Sequence, residues 1–354
     1  MTTPPDLVLS CRPEFTAALV DECRDRHRGA GRFDVLAPGL VGGTGLDPAT
    51  LPECMFERQR LVRPMLVPEQ RLKPIDDETT RQLLGPIATE HPLWTFHAMA
   101  GESDEEEDAA ATSFIKRAEG IANTLMRQGR KIAPDIEKRF RPPHRLKPGG
   151  LVIQLLMTRD GLWASREAID SMLNPRPGGI SRMRFDPLAP SRSYLKMEEA
   201  LERMPEMPVA GEHVIDLGAA PGGWTFSFYK RGGHVLAVDH GPMKLPEHQP
   251  GWGTVEHRRE NGITFAAPAD WPTVDWLVGD MLIAPGVALG LLRRWLESGR
   301  ARRIICNIKL PQEHAYAAVA PVETLLQRHT EYQYVIKQLY HDRREVTVMA
   351  WRTA

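Results

Sequence analysis

Apolar residues in the C-terminal half of the chain fall into short blocks set at helix-length intervals. The blocks are "HVIDLG" (213–218), "HVLAVD" (234–239), "TVEHRRE" (254–260), "DWLVGDM" (275–281) and "RIICNIKL" (303–310). Such alternation predicts a parallel sheet with helices on both faces. Within "ALGLLRRWLESGRA" the apolar Ala288, Leu289, Leu292, Trp295 and Leu296 recur at three- and four-residue spacing, which predicts a helix with one face on that sheet. The rhythm then changes. "YQYVIKQLYHD" (332–342) and "EVTVMAW" (345–351) are separated only by Arg343 and Arg344, too few residues for a parallel crossover, so these two strands pair antiparallel. The predicted class is α/β: a Rossmann-like parallel sheet closed by a C-terminal antiparallel hairpin.

The first 170 residues read as mixed α+β. "DLVLSC" and "MFERQRLVRPMLVP" are strand candidates; "EFTAALVDECRDRH", "DDETTRQLLGPIAT" and "ATSFIKRAEGIANTLMRQGRKI" are helical, the second with an acidic start suited to a helix N-terminus. "LVIQLLMTRDGLWASREAI" holds two apolar runs around Arg159-Asp160-Gly161 and predicts a hairpin. The Pro- and Gly-rich "NPRPGGISRMRFDPLAPSRS" punctuates the chain. The expected organisation is an N-terminal region over 1–170, a linker over 171–190 and a second domain over 191–354. A length of 354 residues suits two cores better than one.

Composition narrows the class of protein. With 42% hydrophobic and 26% charged residues and no apolar run of about 18 residues, the chain reads as globular with no membrane span. No basic segment precedes an apolar one at the N-terminus, so a cytoplasmic location is expected. Cys11, Cys23, Cys54 and Cys306 are scattered, without metal-ligand or disulfide spacing, and no metal is expected. The net charge of -1 offers no overall attraction for a polyanion, but the charge is unevenly spread. Residues 102–108, "ESDEEED", read as a solvated acidic loop. Between Lys116 and Lys147 there are ten Lys/Arg against three Asp/Glu. Within that stretch Arg127, Arg130, Lys131, Lys138, Arg139, Arg141, Arg145 and Lys147 suit either a phosphate-binding surface or a merely solvated one.

The turn after the first predicted strand of the second domain narrows the ligand. In an open parallel sheet the ligand sits beyond the carboxyl ends of the strands, and this turn comes closest to it. Gly218, Gly222 and Gly223 permit close backbone approach, yet "DLGAAPGG" is neither GxGxxG nor GxxxxGK[ST], and Pro221 removes a backbone N–H that a phosphate site would use. A nucleoside with an amino-acid tail and no phosphate fits better, and S-adenosyl-L-methionine is such a ligand. Asp239, ending the next strand, suits the ribose hydroxyls of that ligand.

"DLGAAPGGWT", "VLAVDHGPM", "GDM", "NIKLP" and "YHDRREVTV", with "SRSYLKMEEA" upstream, together resemble the FtsJ-type ribose 2'-O-methyltransferases of the class I fold. Within them the chain is most similar to the RlmM branch, which methylates a cytidine ribose of large-subunit (23S) ribosomal RNA. The resemblance is dense over 174–352. It is looser before that, where "LVLSCRPEF" is the clearest piece and the branch carries a THUMP-type RNA-binding module. The resemblance implies a catalytic set of Lys196, Asp280, Lys309 and Glu345 with Lys309 as proton acceptor. It also implies donor contacts from Ser193, Ala220, Pro221, Gly222, Gly223, Asp239, Asn261 and Asp280. Asn261 departs from the aspartate usual in the branch, and weaker donor binding is expected; Ala220, often cysteine in relatives, contributes backbone only.

The chemistry asks for the same residue types. Methyl transfer to a ribose hydroxyl needs an in-line approach and a base within hydrogen-bond reach. A lysine serves only if desolvation, a second cation or a sulfonium lowers its pKa. Asp280 at a strand end orients Lys309, while Glu345 and Lys196 position the hydroxyl. Methylation of an exocyclic amine calls for [DN]PP[FY] where this chain has "GDML". Cytosine C5 methylation calls for a loop cysteine, whereas Cys306 lies inside a strand and reads as core. A small-molecule methyltransferase leaves the N-terminal half without a role. Trp224, Phe226 and Tyr340 are candidates to stack on a base, the first two more simply read as core. The expected partner is ribosomal RNA, naked or partly assembled; the alternatives are 2'-O-methylation of another RNA, or an RNA-binding protein that kept the fold without catalysis.

Overall fold

The computed structural model describes residues 4–353 except 28, 30, 73–74, 91, 102–108 and 272, so the acidic stretch 102–108 lies outside the described residues. Contacts divide the chain into two compact units, residues 1–180 and 181–354. The division falls inside the stretch read as a linker. Residues 174–179 are folded with the first unit, where Asn174 is buried and its Nδ2 donates to Gly179 O at 3.1 Å.

The first unit contains two four-stranded sheets. β1 (Leu7–Ser10), α1 (Thr16–Arg26), β2 (Arg32–Ala37), β3 (Leu40–Thr44) and β4 (Gln59–Val62) build an antiparallel sheet of order β2-β3-β1-β4. The hairpin β2–β3 was not expected. "MFERQRLVRPMLVP" is not one strand: Arg63 takes a left-handed φ of 45°, and the chain leaves β4 to begin β5 (Met65–Pro68) in the other sheet. The second sheet adds α2 (Asp77–Glu90), β6 (Trp94–Ala100), α3 (Ala109–Ile132), α4 (Ile136–Arg139), β7 (Leu151–Met157) and β8 (Gly161–Ala168), with strand order β5-β8-β7-β6. β7 and β8 form the expected antiparallel hairpin, and β6 pairs parallel to β7 across the α3 crossover. The acidic start of α2 has a local cause, since Asp76 Oδ1 accepts from Thr79 N at 2.7 Å and caps the first turn. Leu83, Leu84 and Ile87 of α2 and Ile121, Ala122 and Leu125 of α3 pack on Trp94, Phe96, Ile153 and Leu155. Burying those side chains supplies the main favourable free energy of this layer.

The second unit is one seven-stranded sheet. Its elements are α5 (Tyr194–Arg203), β9 (His213–Leu217), α6 (Gly223–Tyr229), β10 (His234–Val238), β11 (Thr254–Arg258), β12 (Val274–Gly279), α7 (Pro285–Ser298), β13 (Ala301–Lys309), α8 (Ala315–Arg328), β14 (Tyr332–Lys337) and β15 (Glu345–Arg352). The order is β11-β10-β9-β12-β13-β15-β14, parallel except that β15 runs antiparallel to both β13 and β14. Strand order reverses between β9 and β12, which opens a crevice at their carboxyl ends. The runs "VIDL", "VLAV" and "WLVG" are buried because helices cover both faces, which is why they read as continuous rather than alternating. α7 buries Ala288, Leu292, Trp295 and Leu296 and ends at Gly299, whose φ of 62° supplies the left-handed C-terminal cap. The last hairpin is antiparallel as expected, but β14 stops at Lys337. Residues 338–344 form a loop, so "QLYHD" is not strand. That loop is held by Glu199 of α5, whose carboxylate accepts from Tyr340 N and His341 N, both at 2.9 Å. Trp224 and Phe226 lie in the core of this unit beside Tyr194, Trp276 and Met349. Among the described residues no helix is long and apolar enough to cross a membrane.

Candidate active site

The carboxyl ends of β9, β10, β12 and β13 bring the expected residues to one rim. The turn after β9 is tied to its neighbour, since Gly218 N and Ala219 N both donate to Val238 O, at 2.9 and 3.3 Å. Gly218 (φ 78°) and Gly222 (φ 116°) take backbone conformations that side chains disfavour, and a Cβ on Gly218 would lie 2.5 Å from Met281 Cγ. A Cβ on Gly223 would collide with the Ser191 and Ser193 hydroxyls, so the loop packs directly against the segment that leads into α5. Asp239, one residue past β10, accepts from Ala220 N through Oδ2 (3.1 Å) and from Gly241 N through Oδ1 (2.7 Å). These bonds hold its carboxylate over the loop with lone pairs to spare. Asn261 is exposed, and its Oδ1 accepts from Ile263 N at 2.9 Å. The following Gly262 lies against Leu217, Met281 and the Gly218 backbone.

Asp216, beneath this loop, is buried and accepts from Thr225 Oγ1 at 2.6 Å; its Oδ1 has no partner among the described residues. Burial, reinforced by the neighbouring Asp280 and Asp239 charges, pushes its carboxyl up to about 7. A narrow glycine cradle, a backbone-held carboxylate at a strand end and an orphaned carboxyl oxygen suit a polar, cationic nucleoside derivative such as S-adenosyl-L-methionine. Among the described residues no group of three or more His, Cys, Asp and Glu has metal-ligand geometry.

Four charged side chains close a ring beside the loop. Lys196 lies in the first turn of α5, Asp280 directly after β12, Lys309 at the end of β13 and Glu345 at the start of β15. Antiparallel register places Lys309 opposite Glu345. Lys309 Nζ donates to Asp280 Oδ1 (2.5 Å) and Glu345 Oε2 (3.0 Å); Lys196 Nζ donates to Asp280 Oδ2 (3.3 Å) and to Glu345 Oε1. Each ammonium thus bridges both carboxylates, and each carboxylate oxygen serves one ammonium. All four side chains are at most 20% exposed.

Burial alone would raise both carboxyl pKa values, but the two lysines outweigh it and hold Asp280 and Glu345 below the usual carboxylate range. Burial would likewise lower the Lys309 pKa, yet Asp280 and Glu345 prevail and hold it above the usual lysine value. The pKa depression required of a lysine base is therefore not supplied by the ring itself.

Sequence reasoning missed the support behind this ring. Asn307 Nδ2 donates to Asp280 Oδ1 at 3.2 Å, and Thr347 Oγ1 lies 2.7 Å from Asn307 Oδ1. Both were findable by period: Asn307 lies two residues before Lys309 and Thr347 two after Glu345, hence on the same faces of their strands. Cys306 lies inside β13, half-buried, and burial pushes its thiol up to about 12, which disfavours the thiolate a nucleophile needs.

The FtsJ-like methyltransferase family model matches residues 189–293. Ribosomal RNA large subunit methyltransferase M of Marinomonas sp. is 45% identical over 183 residues, covering 49% of this chain and 51% of that protein. The protein of the same description from Actinobacillus pleuropneumoniae serotype 3 is 32% identical, covering 97% of each chain. That from Haemophilus ducreyi is 30% identical with the same coverage.

Proposed function

Because the chain belongs to the ribosomal RNA large subunit methyltransferase M family, we propose that it methylates the 2'-hydroxyl of a ribose, that of a cytidine in 23S ribosomal RNA. The observation that carries the mechanism is the closed ring of Lys196, Asp280, Lys309 and Glu345 beside the glycine loop. Ser193, the loop Ala220, Pro221, Gly222 and Gly223, Asp239, Asn261 and Asp280 would hold S-adenosyl-L-methionine. Bound there, that cofactor supplies a methyl group made electrophilic by its sulfonium.

The chain's own residues then handle the hydroxyl and its proton. Glu345 and Lys196 orient the hydroxyl, and Lys309 Nζ takes its proton. Asp280 and Glu345 favour the ammonium form of Lys309. Positive charge brought beside it and exclusion of water both act against the two carboxylates and favour the neutral amine.

The first unit is read as the RNA-binding, THUMP-like part. Arg127, Lys131, Lys138, Arg145 and Lys147 are exposed there, which supports a phosphate-facing surface. Others of the basic stretch have local work. Arg130 pairs with Glu137 at 2.5 Å, Arg139 with Asp135 at 3.1 Å, and Arg141 Nη1 donates to Lys138 O and Phe140 O, both at 2.8 Å.

Mass-spectrometric mapping of ribose methylation in ribosomal RNA from cells with and without the gene tests the assignment. Loss of one methylated ribose in the 23S species is expected, and an unchanged map refutes the substrate. A separate expectation concerns Asn261, whose single side-chain oxygen is already engaged by Ile263 N. Asn261→Asp adds a charged acceptor and should tighten S-adenosyl-L-methionine by about threefold to tenfold in titration calorimetry.

A further inference from the structure

Asp342, in the loop before β15, is fully buried and takes no part in the ring. We propose that Asp342 is a positioning residue for the methyl-transfer reaction, acting as a neutral carboxylic acid whose proton aligns Thr347, Asn307 and Asp280 in turn.

Asp280 Oδ1 accepts from Lys309 Nζ and faces the Asn307 amide at 3.2 Å. An amide oxygen turned toward that carboxylate would be repelled, so the NH₂ points to Asp280 and Asn307 Oδ1 points to Thr347. Thr347 Oγ1, 2.7 Å away, is the donor there, and a hydroxyl has one proton to give. The same Oγ1 lies 2.9 Å from Asp342 Oδ2. Two bare oxygens at that distance would repel, so the hydrogen between them belongs to Asp342. Its Oδ2 also accepts from Leu339 N at 3.0 Å, a combination of donor and acceptor that a carboxylic acid oxygen supports.

The surroundings favour the neutral form. Asp342 Oδ1 has no partner among the described residues. Glu345 of β15 and Glu199 of α5 are like charges that raise its pKa, and Lys196 of α5, which acts against them, is already shared within the ring; the buried Lys337 of β14, opposite Thr347 in register, is a further cation on that face of the sheet. Burial first, then Glu345, pushes the Asp342 carboxyl well above the usual range. The relay ends on the oxygen of Asp280 that holds Lys309, so its effect falls on the placement of the base and on kcat.

This inference rests on the ring being the catalytic site, and its test separates the two. Infrared difference spectra of the full-length chain, wild type against Asp342→Asn, should show a neutral carboxyl band at neutral pH, read without substrate or turnover. Thr347→Val, nearly isosteric, should lower kcat by about tenfold with KM for RNA unchanged and move the acid limb of the kcat profile to lower pH, because a loosened Asp280 stabilises the Lys309 ammonium less. Asp342→Leu combined with Thr347→Val should be no worse than the poorer single variant, as members of one relay are non-additive. An ionised carboxylate in the spectrum, additive losses, or a wild-type kcat and pH profile for Thr347→Val overturns the proposal. Should Asp342→Leu fail to fold, the spectrum and Thr347→Val still decide it.

Discussion

Lys309→Ala is expected to lower the rate of methyl transfer to RNA by about 10²–10⁴-fold, the range of a lost general base, while leaving S-adenosyl-L-methionine binding nearly unchanged. The separation follows from geometry. Lys309 contacts Asp280 and Glu345, whereas the glycine loop, Asp239 and Asn261 are built from other strand ends, and Asp280, the one donor-holding residue that Lys309 touches, is still held by Lys196 and Asn307. Removing the ammonium also leaves two carboxylates sharing Lys196, so the site becomes more negative and does not repel a sulfonium. Single-turnover transfer of a labelled methyl group, measured with calorimetry on the same variant, checks both halves. Wild-type transfer by the variant would dismiss Lys309 as the base.

Glu345→Gln is expected to shift the acid limb of the kcat profile to lower pH by about one unit or more, with a lower plateau. The sign comes from the Lys309 pKa, which its two carboxylates raise above the usual lysine value. In the proposed mechanism the neutral amine is the active form, so removing one carboxylate makes it available at lower pH. The plateau falls because both lysines lose a partner that placed them. Stability follows the same charges. Glu345 and Asp280 have lowered pKa values in the folded chain, so their contribution is present above the ordinary carboxylate range and is lost as pH falls through the folded values. Lys309 contributes below the ordinary lysine pKa and loses that contribution as pH rises through its raised value. A limb that stays in place in Glu345→Gln would assign the titration to another group.

The second unit was legible in the sequence because its signals are local. Blocks such as "HVLAVD" and "DWLVGDM" end in the carboxylates that the parallel sheet places at its rim, so strand ends and candidate chemistry coincide at Asp239 and Asp280. In the first unit the signals compete. "WTFHAMA" became β6, a strand buried nearly throughout and so lacking alternation, and Arg63 splits an apparently continuous strand with one left-handed residue. The hairpin of β2 and β3 turns at Gly39 (φ 78°) within "RFDVLAPGLVGGT", whose glycines weaken any strand signal. Asp342 stood in plain view within "YHDRREVTV", but reading "QLYHD" as strand hid it. Its role depends on burial and on oxygens contributed by β13 and β15, which no local pattern records.

The antiparallel entry of β15 also sets the order in which the molecule becomes competent. A nascent chain that has emerged as far as Lys309 already contains Lys196, the glycine loop, Asp239 and Asp280. It lacks Glu345, the second carboxylate of the ring, and the strand that covers the β13 edge. The last strand closes that edge along Arg303–Trp351 through Lys309–Glu345, and the final pair of this zipper is the ring itself. In the proposed mechanism an incompletely made molecule, or one frayed at this hairpin, would be silenced rather than misdirected: it would keep the groups proposed to hold a methyl donor and lack the closed ring proposed to use it.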